Sequence, residues 1–239
     1  MEYGHIQFTL NGETVHARQG QSIVEAAREN GIYIPTLCDY KSLPPAGTCR
    51  VCTVMVGGRV VAGCTTPAAQ GMVVVSESPE LADLRKGLIE MLFVEGNHMC
   101  PSCEKSGNCQ LQALAYRYRM DVPRFPFSFT NRSIDASLPH LILEHNRCIQ
   151  CLRCVRGVKG RGGEDIFGFK NRGRAIQITV DTTVPDAVTE ETARKAMEIC
   201  PVGALLTKGP QYLTPIGERT YDRTPIGSDI EDGRTRGGA

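Results

Sequence analysis

Three features of the sequence predict an α+β chain built from several small cysteine-bearing units. Ile6 to Leu10 alternates apolar and polar residues, Asn11-Gly12 supplies a turn, and Thr14 to Ala17 alternates again, the pattern of a β-hairpin. Elsewhere the apolar period switches to that of a helix, over Leu81 to Leu92, Gln110 to Met120 and Glu190 to Ile199. The eleven cysteines fall into three groups, each with its own spacing.

At 239 residues the chain is long enough for more than one compact unit. A formal charge of +1 gives no sign of a nucleic-acid partner. The odd cysteine count argues against a purely disulfide framework. Met1 to His5 carries no basic segment leading into an apolar run, so no signal peptide is expected. No stretch of about 18 apolar residues exists, so no membrane span is expected. In a reducing compartment clustered cysteines usually bind metal, and the expected location is cytoplasmic.

The first unit is expected over residues 1–78. After the hairpin, Ser22 to Glu25 forms a capping box and Gly31 sits where the helix would end. Hairpin, helix and then a cysteine-rich loop suggest a β-grasp fold. Cys38, Cys49, Cys52 and Cys64 follow with spacing C-x10-C-x2-C-x11-C. Plant-type ferredoxins hold a 2Fe-2S cluster with C-x4-C-x2-C and one remote cysteine. A longer first gap still allows this, because added loop length costs little. A zinc site is the alternative, but zinc usually takes two close pairs and only one is present. Gly47 and Arg50 flank the ligands where backbone passes close to sulfur. Thr53 to Val56 and Arg59 to Ala62 read as a second hairpin about Gly57-Gly58, with Met72 to Val75 as a further strand.

The second unit is expected over residues 79–121. Ser78 caps a helix with Pro79 in its first turn. Leu81, Leu84, Leu88, Met91 and Leu92 form its apolar face, ending at Gly96. Cys100, Cys103 and Cys109 then leave a four-donor site one short, and His98 is the nearest candidate for the fourth donor. Eleven cysteines and one histidine suffice for three four-ligand clusters. His140, His145 or a carboxylate are the alternatives, with His98 then only bonding a sulfur.

Residues 122–137 read as an extended connector with Pro123 and Pro126 among aromatics. The third unit, 138–208, carries Cys148, Cys151 and Cys154 and closes on Cys200-Pro201. Bacterial two-cluster ferredoxins use C-x2-C-x2-C-x3-C-P runs whose fourth cysteine serves the other cluster. Two such runs can be laid on this unit. The first set, Cys148, Cys151, Cys154 and Cys200, is whole. Its twin falls on Val158, Glu190, Ala193 and Ala196, and none is cysteine. The unit therefore resembles a bacterial-type ferredoxin module that keeps one 4Fe-4S cluster. Arg174 to Val180 and Ala204 to Thr207 are its expected strands.

Residues 209–239 shift to Gly, Pro and charge, with Thr-Pro-Ile-Gly repeated at Thr214 and Thr224. Alone this stretch should be an extended, disordered tail, with Tyr212, Leu213, Tyr221 and Ile226 expected to anchor it on a partner.

Gly157 to Gly163 follows no expected strand, so it is a weak dinucleotide site, and there is no P-loop. Every cysteine is assigned to a cluster. A chain with three redox centres and no substrate site reads as an electron conductor. Arg50, Arg147, Arg153 and Arg156 lie near cluster cysteines in sequence, where positive charge favours the reduced state unless they are solvated at the surface.

The order of these sites resembles the N-terminal part of the large iron-sulfur subunit of respiratory complex I, iron-only hydrogenases, and the small diaphorase (gamma) subunit of soluble NAD-reducing nickel-iron hydrogenases. Glu95 to Gln112, Tyr33 to Cys38 and the short length are most similar to the last. One departure is the single residue, Met99, between His98 and Cys100 where complex I has three. The resemblance implies one 2Fe-2S and two 4Fe-4S clusters, and no FMN or NAD bound by this chain. Its implied partners are an FMN/NAD-binding diaphorase large subunit and the hydrogenase small and nickel-iron large subunits. The complex would be a cytoplasmic hydrogen:NAD+ oxidoreductase. Alternatives are a relay subunit of an NAD-dependent formate dehydrogenase or complex I-like enzyme, a free ferredoxin-type carrier, and a zinc-stabilised scaffold.

Overall fold

The computed structural model describes residues 4–128, 130–184 and 186–236. The ends of the first unit and of the tail, 1–3 and 237–239, lie outside the described residues, as does position 129 of the connector.

Strands β1 (His5–Leu10) and β2 (Glu13–Arg18) pair antiparallel about Asn11-Gly12, both at positive φ as a two-residue hairpin turn requires. Their inward residues Phe8, Leu10, Val15 and Ala17 are buried. Helix α1 (Ile23–Glu29) starts at the Ser22/Glu25 capping box and stops at Asn30, with Gly31 at φ 73°. Strands β3 (Thr53–Val56) and β4 (Arg59–Ala62) form the second hairpin. Strand β5 (Val73–Val75) runs parallel to β1 and antiparallel to β3, giving the order β2-β1-β5-β3-β4. The sheet and α1 share one apolar core around Leu10, Ile23, Val54 and Val74.

Helix α2 (Pro79–Glu95) is capped by the Ser78 hydroxyl, which accepts from the Leu81 amide. Its buried face differs from the leucine stripe expected. Leu81, Arg85, Ile89, Glu90 and Val94 point inward, while Met91 is exposed. The reason is that α2 uses polar side chains to tie itself to the first unit and to the connector. Arg85 donates to the Thr53 carbonyl at 2.6 Å, and Glu90 accepts from Arg124 at 2.7 Å. Apolar periodicity cannot register such contacts. Helix α3 (Gln110–Arg117) ends before the expected Met120, because the chain turns through Arg119 at φ 49°.

The connector ends in a short edge strand, β6 (Ile134–Asp135). It pairs with β7 (Leu141–Glu144). Helix α4 (Arg153–Gly157) and a hairpin of β8 (Phe167–Lys170) with β9 (Gln177–Val180) follow. Strand β9 begins later than expected because Gly173–Ala175 makes a 3-10 turn. Helix α5 (Glu190–Ile199) is capped by Thr189 and delivers Cys200 at its end. Strand β10 (Leu205–Thr207) returns beside β7 to complete the sheet β10-β7-β6.

The stretch after Gly209 is not an extended tail. It forms α6 (Thr220–Arg223) and α7 (Ser228–Arg236) and folds back on this chain. Arg219 donates to the carbonyls of Glu104 (2.6 Å) and Ser106 (2.7 Å) and stacks 4.5 Å over the Tyr212 ring. Ile226 is buried, Arg117 donates to its carbonyl at 2.8 Å, and Arg117 pairs with Glu231. These anchors are single residues meeting carbonyls, which leave no apolar period. Of the anchors expected to meet a partner, only Leu213 stays fully exposed.

Candidate metal centres

Cys38, Cys49, Cys52 and Cys64 come together in the loops after α1 and beside the β3-β4 hairpin. The Cys38 amide donates to the Cys49 Sγ at 3.3 Å. Hydrogen bonding from Cys49 holds the Cys38 thiol down, and the same contact pushes Cys49 up. Cys64 likewise lowers Cys52, while Cys64 itself is pushed up by Cys38 and Cys52. Cys38 meets both Cys49 and Cys64, and Cys64 also meets Cys52, so the four sulfurs form one connected group. The loop turns through Gly47 at φ 66° and Arg50 at φ 59°. A Cβ at Gly47 would lie 2.9 Å from the Thr65 methyl, so both conformation and space demand glycine. The Arg50 side chain is exposed, as a solvated arginine would be.

In the second set, Cys100 starts a 3-10 turn, Cys100–Ser102, and Cys109 is the N-cap of α3. The Cys109 Sγ accepts from the Gln112 amide at 3.5 Å. Burial outweighs this donor and pushes the Cys109 thiol up to about 12. His98 is half-buried and packs against Phe93, with ring centroids 5.3 Å apart. Burial holds its pKa down at about 4, so the ring is neutral, and a hydrogen bond to the Leu92 backbone orients it. Its Nε2 is buried without a hydrogen-bond partner. A Cβ at Gly96 would lie 2.5 Å from that nitrogen, so glycine makes room for the ring. His145, an alternative donor, has Nδ1 2.6 Å from the Ser133 carbonyl and Nε2 2.8 Å from the Ile178 carbonyl. Both its nitrogens are engaged. His140 lines a surface groove with Glu190 and Lys208.

The third set lines one cavity. Cys148, Cys151, Cys154 and Cys200 share its wall with Leu143, Ile149 and Val202. Cys148 to Cys154 wraps it through two left-handed residues, Gln150 at φ 53° and Leu152 at φ 65°, a costly backbone for non-glycine side chains. Burial pushes Cys148 up to about 11 and Cys151 up to about 12. Burial by itself favours the neutral thiols, so these sulfurs would become thiolates only with the positive charge of a bound metal group beside them.

Backbone beside the third set meets the second set's loop. The Gln110 amide donates to the Pro201 carbonyl at 2.8 Å, and a Cβ at Gly203 would lie 2.8 Å from the Cys103 Sγ. Lys105 is 5% exposed and donates to the Met197 carbonyl at 2.6 Å. Burial lowers its pKa, while Cys200 and Cys109 raise it, so its ammonium sits between the second and third sets. Sequence reasoning missed Lys105 and Gly203. Lys105 falls inside the C-x5-C loop, but nothing in the spacing marks it. Arg147 is half-buried and pairs with Glu104, and Arg153 is buried. Neither is a solvated surface arginine.

Among the described residues, no three His, Cys, Asp or Glu side chains adopt the arrangement a single metal ion requires. Four cysteines around one cavity suit a 4Fe-4S cluster.

The sequence matches three families in order. Residues 4–79 match a 2Fe-2S iron-sulfur cluster binding domain. Residues 85–124 match the NADH-ubiquinone oxidoreductase-G iron-sulfur binding region, and 139–206 the ferredoxin-like domain of NADH-quinone oxidoreductase subunit 3. The fold and its sulfur sets therefore define an iron-sulfur protein, with a 2Fe-2S domain followed by 4Fe-4S binding domains. The NAD-reducing hydrogenase HoxS subunit gamma of Cupriavidus necator is 47% identical over 218 residues, covering 91% of this chain and 93% of that protein. A chain from the crystal structure of an NAD+-reducing [NiFe]-hydrogenase in the H2-reduced state superposes with a TM-score of 0.85 at 42% identity, covering 96% and 98% of the two chains. The chain belongs to the family of the gamma subunit of NAD-reducing hydrogenase. It is also 35% identical over 207 residues to the 78 kDa subunit of NADH-ubiquinone oxidoreductase from Candida albicans, but spans only 28% of that protein.

Proposed function

We infer that the chain is the electron-relay subunit of an NAD-reducing hydrogenase. Cys38, Cys49, Cys52 and Cys64 hold one 2Fe-2S cluster. His98 with Cys100, Cys103 and Cys109, and Cys148, Cys151 and Cys154 with Cys200, each hold a 4Fe-4S cluster. When bound, these groups supply reversible one-electron chemistry. The chain's own residues fix the donors and exclude water. The Leu92 backbone and Gly96 turn the neutral His98 ring so that Nε2 remains available as a donor. Lys105 and Arg147 place positive charge beside the second set. No FMN or NAD site is assigned to this chain. Its partners are an FMN- and NAD-binding diaphorase subunit and the hydrogenase small and nickel-iron subunits, and the complex is cytoplasmic.

The observation that supports this reading is that backbone beside the third set is bonded to the loops of both others, through Gln110 to Pro201 and through Arg156 to the Cys38 and Cys151 carbonyls. Among the described residues no helix is long and apolar enough to cross a membrane. The second reading, a relay in a complex I-like enzyme, is favoured by the 35% identity to the Candida albicans subunit. The higher identity to the hydrogenase subunit, 47%, weighs against it. Anaerobic purification of the native complex tests the choice. Iron-sulfur EPR signals with nickel and flavin co-purifying are expected. Clusters and flavin without nickel point to another NAD-linked enzyme. Zinc without cluster signals contradicts both readings.

A further inference from the structure

The Cys38–Cys49 loop exceeds the plant-type gap, and ligation alone does not require its added residues. In the structure that loop receives α4 of the third unit. Arg156 Nη2 donates to the Cys38 carbonyl at 2.6 Å and to the Cys151 carbonyl at 3.4 Å. Its Nη1 donates to the Pro44 carbonyl. Arg153, 2% exposed, donates from Nη2 to the Asp39 carbonyl at 2.8 Å and from Nη1 to the Ile199 carbonyl at 3.4 Å. Its guanidinium lies 5.2 Å from the Tyr40 ring centroid. Arg156 therefore bonds two carbonyls in the first set's loop and one at the third set, and Arg153 bonds one on each side.

We propose that Arg156 and Arg153 are positioning residues that fix the first sulfur set against the third and so set the spacing and coupling of the two clusters. The inference rests on the cluster assignment above. Nη2 of Arg156 carries two hydrogens, so one atom can join two carbonyls that belong to donor residues of different clusters. All the acceptors are main-chain oxygens, so the link fixes backbone positions. A charged donor strengthens each bond, and burial strengthens it further. Lysine cannot reproduce this link, because a single ammonium lacks the planar fork that reaches Pro44 and Cys38 together. The event served is the passage of one electron from one cluster to the other, with no bond formed or broken and no proton moved.

The test compares the intact native-type complex with its R156A and R156K forms. Each is measured for iron content, for midpoint potentials, and for microwave-power saturation of the 2Fe-2S EPR signal with the C-terminal cluster oxidised and then reduced. All three forms are expected to keep their iron and both signals. The relaxation enhancement that the reduced neighbour confers should fall severalfold in R156A. R156K, which keeps the charge, should recover the midpoint potential but not the relaxation, and it is read alone if R156A fails to assemble. Unchanged relaxation in R156A, or full recovery in R156K, would overturn the proposal. A native-type complex without the two signals overturns the cluster assignment instead, and the proposal with it.

Discussion

Cys148, Cys151, Cys154 and Cys200 line a cavity at one end of the C-terminal unit, while the equivalent run at the other end, Val158, Glu190, Ala193 and Ala196, is core and surface. Val158, Ala193 and Ala196 are each 0% exposed and belong to the same apolar cluster as Phe167 and Ile178. Glu190 is exposed in the first turn of α5, where a negative charge favours the helix. The two ends share α4 and α5, yet one is suited to bind a cluster and the other packs hydrocarbon. One supersecondary frame can thus be held together by metal ligation or by close packing, and the side chains at four positions decide which.

Removing a donor from the first end should have the largest effect. Cys154→Ala is expected to abolish the C-terminal cluster signal and remove roughly four irons per chain. Limited proteolysis should then cut within 138–208, because ligation and folding are coupled. His98→Cys asks whether a four-sulfur set is tolerated at the second site. The cluster should survive, with a midpoint potential lower by on the order of 100 mV, since thiolate adds a negative charge that imidazole lacks. A redox titration reads this, and an unchanged potential would remove His98 from the donor set.

Overfilling the packed end should cost less and leave the iron alone. Ala196→Leu forces extra volume into a fully buried position, and a destabilisation of about 1–3 kcal/mol is expected by thermal or denaturant unfolding. Loss of the C-terminal cluster signal in the same variant would show that the two ends are not separable. The smallest effect belongs to the folded-back C-terminal stretch. Glu231→Gln breaks a partly exposed pair with Arg117, and less than about 1 kcal/mol should be lost. Unfolding midpoints at low and high salt would check this, because screening should erase the difference.

The parts of the molecule legible in the sequence are those fixed by near neighbours. Asn11-Gly12, the Ser22/Glu25 box, Ser78 and the Glu190–Ile199 helix signal themselves within a few residues, and the structure places each where its local pattern puts it. Cysteine spacing groups Cys148, Cys151 and Cys154 locally, and the structure brings distant Cys200 into the same cavity wall. What stayed hidden depends on residues distant in the chain. Gly203 is glycine because a sulfur 100 positions earlier in sequence leaves no room for a side chain. Lys105 and Arg219 find main-chain oxygens across the fold, and neither hydrophobic period nor motif spacing records a carbonyl. Strand β8 carries only Phe167 as a buried side chain, with Gly168 beside it, too little alternation to announce a strand.

Native mass spectrometry of the chain released intact from its complex would test the central claim most directly. One 2Fe-2S and two 4Fe-4S clusters predict an added mass of about ten irons with matching sulfide. A third 4Fe-4S cluster would mean that the packed end binds metal after all, and a chain retaining only the 2Fe-2S cluster would contradict the account of the other two sites.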